Sequence, residues 1–387
     1  MAQTGKVNVA YFTNWSIYGQ KYHPSKVPCS SLTHILYAFA DIKDDGTVFL
    51  TDAWSDVDIH YDGDSWEDQG KKLYGNFKQF ALMKRRHRHL KLLLSIGGWT
   101  YSSHFKAVLT PSGRQRFVES AMKILEDVGL DGLDVDWEYP QNAGEAQAYV
   151  DLLAALRQAL DQREQAMGEA KHWLSIAAPA GEARNKLKVR EMDRYLDLWN
   201  LMAYDFTGTW SDTASHHANI FASPQARTPM CADEAVSFFV NQGVNPAKIV
   251  LGMPLYSRAF ANCHGLGSNY QGVPEGGSEP GLFFYKNLPL PGHQEYFDDK
   301  ALAWYSVDPS GSQVVSYEGP TSVDAKADYI HRRGLAGAMW WELGGDAEDP
   351  QRALVPRAGF RLGDLDQSSN NLHFPGSQYE NVRSGQI

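Results

Sequence analysis

With 387 residues, 43% of them hydrophobic and 21% charged, the chain has enough apolar material for a core without metal or disulfide staples. A formal net charge of -10 argues against nucleic acid or an anionic membrane surface as partner and leaves neutral or cationic ligands open. No apolar run approaches the length of a membrane span.

The N-terminal Met1-Ala-Gln-Thr-Gly-Lys6 leads directly into an apolar segment at Val7–Phe12, too short for the core of a secretion signal. The expected location is therefore cytoplasmic, or secreted if a leader has been removed or is unconventional. Apolar, β-branched runs then recur. The expected strands are Val7–Phe12, His34–Phe39, Lys91–Ile96, Gly132–Asp136, Trp173–Ala177, Leu198–Tyr204, Ile249–Met253 and Gly337–Trp341. Helical periodicity fills the intervals at Arg114–Val128, Gly144–Gln165, Ala232–Asn241 and Val323–Arg333. Thr110-Pro111 suits a helix start, and Gly129, Gly243 and Gly334 fall where a left-handed residue ends a helix.

Strands alternating with helices predict an α/β chain folded as a (β/α)8 TIM barrel. An open, doubly wound sheet is the alternative; it lacks its glycine fingerprint, since Thr13-Asn-Trp-Ser-Ile-Tyr-Gly19 follows the first strand. One interval is anomalous. About eighty residues separate Met253 from Gly337, where a connection needs only a handful. Its Gly, Tyr and Phe content and β-prone pieces at Ala303–Tyr305 and Gln313–Tyr317 predict a small inserted α+β subdomain after strand seven. The expected division is residues 1–256 and 318–387 for the barrel and 257–317 for the insertion. The polar, aromatic tail after Gly363 is expected to pack back on the barrel. Cys29, Cys231 and Cys263 are widely spaced and read as free thiols, with a disulfide between two of them left open. Asn14-Trp15-Ser16 fits a glycosylation pattern by chance at a strand end.

The chemistry concentrates in Leu130-Asp-Gly-Leu-Asp-Val-Asp-Trp-Glu-Tyr-Pro140. Strand alternation puts Asp134, Asp136 and Glu138 on one face, with Leu133 and Val135 on the other. Three stacked acids repel, so at least one keeps a proton near neutral pH. A protonated carboxyl at the C-terminal end of a barrel strand is what a general acid requires, and Glu138 is the outermost. On spacing alone a divalent-metal site stays open, although no calcium-loop pattern fits. Ser95-Ile-Gly-Gly98 reads as a close-packed strand end, because it lacks the Lys of a phosphate loop. His216-His217 has no third ligand at credible spacing.

Tyr11, Phe12, Trp15, Trp99, Trp210 and Trp341 fall at or just beyond expected strand ends, where aromatic rings suit the apolar faces of sugars. Trp137 alternates away from the acids and Trp340 is expected to face the helices.

The run D-G-L-D-V-D-W-E-Y-P resembles the D-x-x-D-x-D-x-E signature of family 18 of the glycoside hydrolases, the chitinases. The resemblance extends through Tyr11-Phe-Thr-Asn-Trp15, Ser95-Ile-Gly-Gly-Trp99, Met202-Ala-Tyr-Asp205, Gly252-Met-Pro-Leu-Tyr256 and Met339-Trp-Trp-Glu342. The tail is similar to that of fungal members, and the insertion to that of the deep-cleft subgroup. The resemblance implies retaining, substrate-assisted hydrolysis of chitin and chito-oligosaccharides, an exception to the two-carboxylate scheme. Glu138 would be the acid/base, Asp136 would turn from Asp134 toward Glu138 to hold the acetamido N–H, and Tyr204 would hold the acetamido oxygen. Tyr11, Phe12, Trp99, Met202, Asp205, Trp210, Arg258 and Trp341 would bind substrate, with Trp341 beneath the cleaved sugar and Trp99 on the leaving-group side. No cofactor and no metal is expected, nor a nucleic-acid or membrane partner, and a monomer is expected. Two departures stand out: Ser257 where the family commonly has Gly before the cleft Arg, and His217 after His216. A silent chitin-binding lectin and an endo-β-N-acetylglucosaminidase are the alternatives on the same barrel.

Overall fold

The computed structural model describes residues 5–168 and 170–387. The first seven strands are β1 (Val7–Thr13), β2 (His34–Ile42), β3 (Val48–Leu50), β4 (Lys91–Gly97), β5 (Gly132–Asp136), β6 (Trp173–Pro179) and β7 (Leu198–Met202). Six follow: β8 (Ile249–Pro254), β9 (Arg258–Ala261), β10 (Gln294–Asp298), β11 (Ala303–Val307), β12 (Gln313–Tyr317) and β13 (Gly337–Trp341). Apart from β3 and β9–β12 they form one closed parallel sheet in the order β1-β2-β4-β5-β6-β7-β8-β13, the (β/α)8 barrel. Every residue of β1, β2, β4, β5 and β6 is buried, as expected of parallel strands covered on both faces.

The helices are α1 (Gly75–Arg86), α2 (Pro111–Val128), α3 (Ala143–Met167), α4 (Val189–Met192), α5 (Ala232–Asn241), α6 (Pro320–Arg333), α7 (Leu354–Leu362) and α8 (Glu380–Arg383). Local chemistry fixes the ends of α2. The Thr110 hydroxyl accepts the Gly113 N–H at 3.0 Å, Pro111 takes the first position, and Gly129 stops the helix at φ +80°. Helix α1 is absent from the expected set, and no side chain caps its start. Helix α7 holds Pro356 and Gly359. Pro356 is the third residue of the helix, where the backbone N–H has no intrahelical partner to lose.

By internal packing the chain separates into two compact units. The first comprises Met1–Ala178, Asn185–Trp199 and Asp364–Ile387. Within it the tail supplies partners for buried polar groups. Asn370 donates to the carbonyls of Lys84, His87 and Leu90 at the end of α1 and accepts from Arg88 Nε at 2.8 Å. Lys91 and Asp366 form a buried ion pair at 2.6 Å, and Asp131 takes both Lys84 at 2.8 Å and the Asn371 N–H at 2.7 Å. The Lys84 carbonyl in the last turn of α1 and those of His87 and Leu90 just beyond it are thus met by one side chain of the C-terminal tail.

The second unit comprises Pro179–Arg184 and Asn200–Gly363. It holds an antiparallel sheet in the order β10-β11-β12-β9, with Ala214, Phe260, Cys263 and Val314 packed as a small core. Between β9 and β12 the described helical structure is one 3-10 turn, Tyr285–Asn287. Cys29, Cys231 and Cys263 are all buried free thiols.

Candidate active site

The acid row lies on β5 and just past its end. Asp134 is fully buried and accepts three hydroxyls: Tyr11 at 3.1 Å, Ser95 at 2.7 Å and Ser175 at 2.6 Å. Strand register produces this cage, because Ser95 of β4 and Ser175 of β6 are the lateral partners of Asp134. Hydrogen bonds from three hydroxyls compensate the burial of this carboxyl group.

Asp136, two residues on, is 3% exposed and differently placed. Burial first, then the charges of Glu138 and Asp134 and a hydrogen bond to Glu138, push its carboxyl well above the usual range. Its Oδ1 meets no hydrogen-bond partner among the described residues. A buried carboxylate oxygen without a partner is costly, and a ligand N–H would relieve it.

Glu138 is half-buried, beyond the last ladder residue of β5. Its backbone N–H donates to Ser102 Oγ at 2.7 Å. Gly97 and Gly98 allow this meeting of strand ends: a Cβ on Gly97 would lie 2.2 Å from the Asp136 carbonyl oxygen, and both residues have positive φ (+115° and +80°). A cavity of about 400 Å³ opens beside Glu138, lined by Trp99, Ser102, Trp137, Glu138, Gln141 and Glu145 among others, large enough for a small ligand. Trp99 is 75% exposed, whereas Trp137 is buried and stacked on Phe105 at 4.9 Å. Glu145 is the other carboxyl in this cavity, and it is engaged in capping α3. Its oxygens accept the Gln141 N–H at 2.8 Å and Asn142 Nδ2 at 3.1 Å, while its own N–H donates to Asn142 Oδ1 at 3.0 Å.

Two expected substrate-binding residues of this unit require correction. Phe12 is fully buried, with its ring against Phe80 of α1 at 5.0 Å and Tyr37 of β2 at 5.8 Å. Strand β1 runs one residue further than expected, so Phe12 sits inside it, in the layer between sheet and helix, and offers no surface to a ligand. Tyr11 is 1% exposed, and its hydroxyl serves Asp134 instead of the rim.

The second unit carries the remaining expected residues. Met202 ends β7 and is half-buried. Tyr204 and Asp205 lie beyond the strand, which ends two residues earlier than expected. Asp205 has a left-handed backbone (φ +57°), a conformation costly for a residue with a side chain. Its carboxylate pairs with Arg258 Nε at 2.8 Å and lies 3.6 Å from His217 Nδ1. Burial acts to raise the Asp205 carboxyl, but the nearby His217 and the bond and charge of Arg258 outweigh it and hold it at about 2. The Arg258 guanidinium lies over the Trp210 ring at 4.9 Å, and Trp210 is 60% exposed. The Tyr204 hydroxyl is 3.9 Å from Met339 Sδ, and Trp341 is half-buried at the end of β13. Ser257 fits without displacing Arg258 from Asp205: its backbone N–H and hydroxyl bind the Phe283 carbonyl and N–H at 2.8 and 3.1 Å. His216 bonds Asp298 at 3.2 Å.

Ser95, Ser175 and Ser102 were missed in the sequence. The first two left a faint signal, lone hydroxyl residues inside apolar strands next to β5. Ser102 left none, because its partner is a backbone N–H.

The profile of the glycosyl hydrolases family 18 matches residues 7–346. Endochitinase 1 of Metarhizium robertsii is 43% identical over 384 residues, covering 98% of this chain and 90% of that relative. Chitinase 1 of Aphanocladium album is 42% identical over 387 residues, covering 99% and 91%. Among solved structures, the catalytic domain of the psychrophilic chitinase B from Arthrobacter TAD20 superposes with a TM-score of 0.84 at 27% identity, covering 95% of this chain and 98% of that one. A class V chitinase from Nicotiana tobaccum, solved in complex with NAG4, gives 0.79 at 25%, covering 93% and 99%.

Proposed function

The chain belongs to family 18 of the glycosyl hydrolases, and on that footing we propose that it is a chitinase. It hydrolyses β-1,4 bonds between N-acetylglucosamine units of chitin and chito-oligosaccharides, with retention and with the substrate's own acetamido group as nucleophile. The observation that carries this reading is the unpartnered, buried Oδ1 of Asp136 beside Glu138. It is an acceptor placed for an amide N–H, which the N-acetyl group supplies.

In the first step Glu138 gives its proton to the glycosidic oxygen as the C1–O bond breaks, and the acetamido carbonyl oxygen bonds to C1. Asp136 accepts the acetamido N–H and offsets the positive charge of the oxazolinium ring. Asp134, which accepts three hydroxyls, adds to the effect that raises the Asp136 carboxyl. Tyr204 donates to the acetamido oxygen and holds it for attack. In the second step Glu138, now a carboxylate, takes a proton from water, whose oxygen bonds to C1 as the ring opens. Two inversions give retention without a second nucleophilic carboxylate, and the engagement of Glu145 in capping α3 supports that scheme. Trp341 is the floor beneath the cleaved sugar and Trp99 the platform on the leaving-group side. Met202, Asp205, Trp210 and Arg258 complete the substrate contacts, and residues 257–317 form a wall of the cleft.

The test is turnover of chitotetraose beside its fully deacetylated glucosamine counterpart. Cleavage of the first alone is expected, because the second lacks the nucleophile. Equal cleavage of both would refute substrate assistance, and binding of chitotetraose without turnover would leave the lectin.

A further inference from the structure

We propose that Ser102 is a positioning residue for Glu138, acting on proton delivery to the leaving group and not on substrate affinity; this rests on the reading of Glu138 as the acid. The β ladder ends at Asp136, whose lateral partner is Gly97, so no strand pairing holds the backbone of Glu138. A hydroxyl takes over. Ser102 Oγ accepts the Glu138 N–H at 2.7 Å and donates to the Gly98 carbonyl at 2.8 Å. The Gly98 N–H in turn donates to the Asp136 carbonyl at 2.8 Å. Both ends of the segment from Asp136 to Glu138 are thereby fastened to Gly98, one directly and the other through this single side chain.

The anchor itself is rigid. Ser102 is 7% exposed and sits on the 3-10 segment Trp99–Leu109. Three residues on, Phe105 is fully buried and stacks against Trp137, the residue between the two acids, with ring planes 6° apart. The same segment begins with Trp99. Ser102 therefore sets the position of the proton donor relative to the platform proposed for the leaving-group sugar. Removing the hydroxyl takes this acceptor from the Glu138 N–H and loosens the backbone that carries the carboxyl. Proton transfer is sensitive to such loosening, with misplacement by about 1 Å costing up to about 10²-fold.

The experiment compares Ser102→Ala and Ser102→Thr on two substrates through kcat/KM, which reads only the steps through departure of the leaving group. Chitotetraose has a poor alcohol leaving group that must be protonated. A dinitrophenyl chitobioside has an activated one that needs little protonation. For Ser102→Ala the expected result is a loss of about 10-fold on chitotetraose with KM within about 2-fold, and less than about 2-fold on the aryl glycoside. Ser102→Thr, which keeps the hydroxyl, should return chitotetraose turnover to within about 3-fold of wild type. Equal losses on both substrates, or no loss on chitotetraose, would overturn the proposal. If the Thr variant fails to fold by thermal melting, the leaving-group split in the Ala variant still decides. Glu138→Gln is the control: if it shows no leaving-group dependence, the acid assignment fails, whereas a split there and none in Ser102→Ala removes Ser102 alone.

Discussion

Glu138→Gln is expected to lower kcat on chitotetraose by at least about 10²-fold while leaving oligosaccharide binding within a few-fold of wild type. The substitution keeps shape and hydrogen-bonding length but removes the transferable proton. It should not disturb the fold, since the Ser102 bond is to the backbone N–H and not to the carboxyl. Both steps use the same group, first as acid and then as base, so no part of the cycle escapes. Steady-state kinetics beside titration calorimetry with chitotetraose separate the two effects. Activity above about 1% of wild type would refute the assignment, because positioned general acids contribute at least about that factor.

Asp136→Asn is expected to lower kcat by about 10²-fold and to move the basic limb of the pH profile of kcat/KM to lower pH. The rate follows from the loss of the charge that stabilises the oxazolinium ring. The direction of the pH shift follows from Asp136 itself, whose carboxyl is raised by burial and then by the charges of Glu138 and Asp134. The Asp136–Glu138 pair thus keeps one proton where separated carboxyls would have lost both. Asn removes one of the two negative charges, so the proton on the remaining carboxyl is lost at lower pH and the basic limb moves acidward. A pH series on the two proteins reads this directly. A merely structural defect would scale the rate at every pH and leave the limb in place.

How far the site was legible in the sequence depends on which interactions hold it. Alternation alone predicted one face for Asp134, Asp136 and Glu138, and β5 and β13 have the expected ends. Helix α2 was equally readable, since Thr110, Pro111 and Gly129 are local signals. The cage around Asp134 was not. Ser95 and Ser175 reach it only through the lateral register of three strands, which no single strand encodes. Phe12 shows the cost of misplacing a strand end by one residue: taken as a rim residue, it lies inside β1 and packs under α1. Asp205 and Arg258 are 53 residues apart, and only the fold brings them within 2.8 Å. In each case the missing information was tertiary.

The most direct test of the account is the anomeric configuration of the first product released from chitotetraose, followed by proton NMR before mutarotation sets in. Substrate assistance through Asp136 and Glu138 predicts the β-anomer first, with the α form growing only at the mutarotation rate. An initial α-anomer would mean a single displacement by water and would contradict the mechanism.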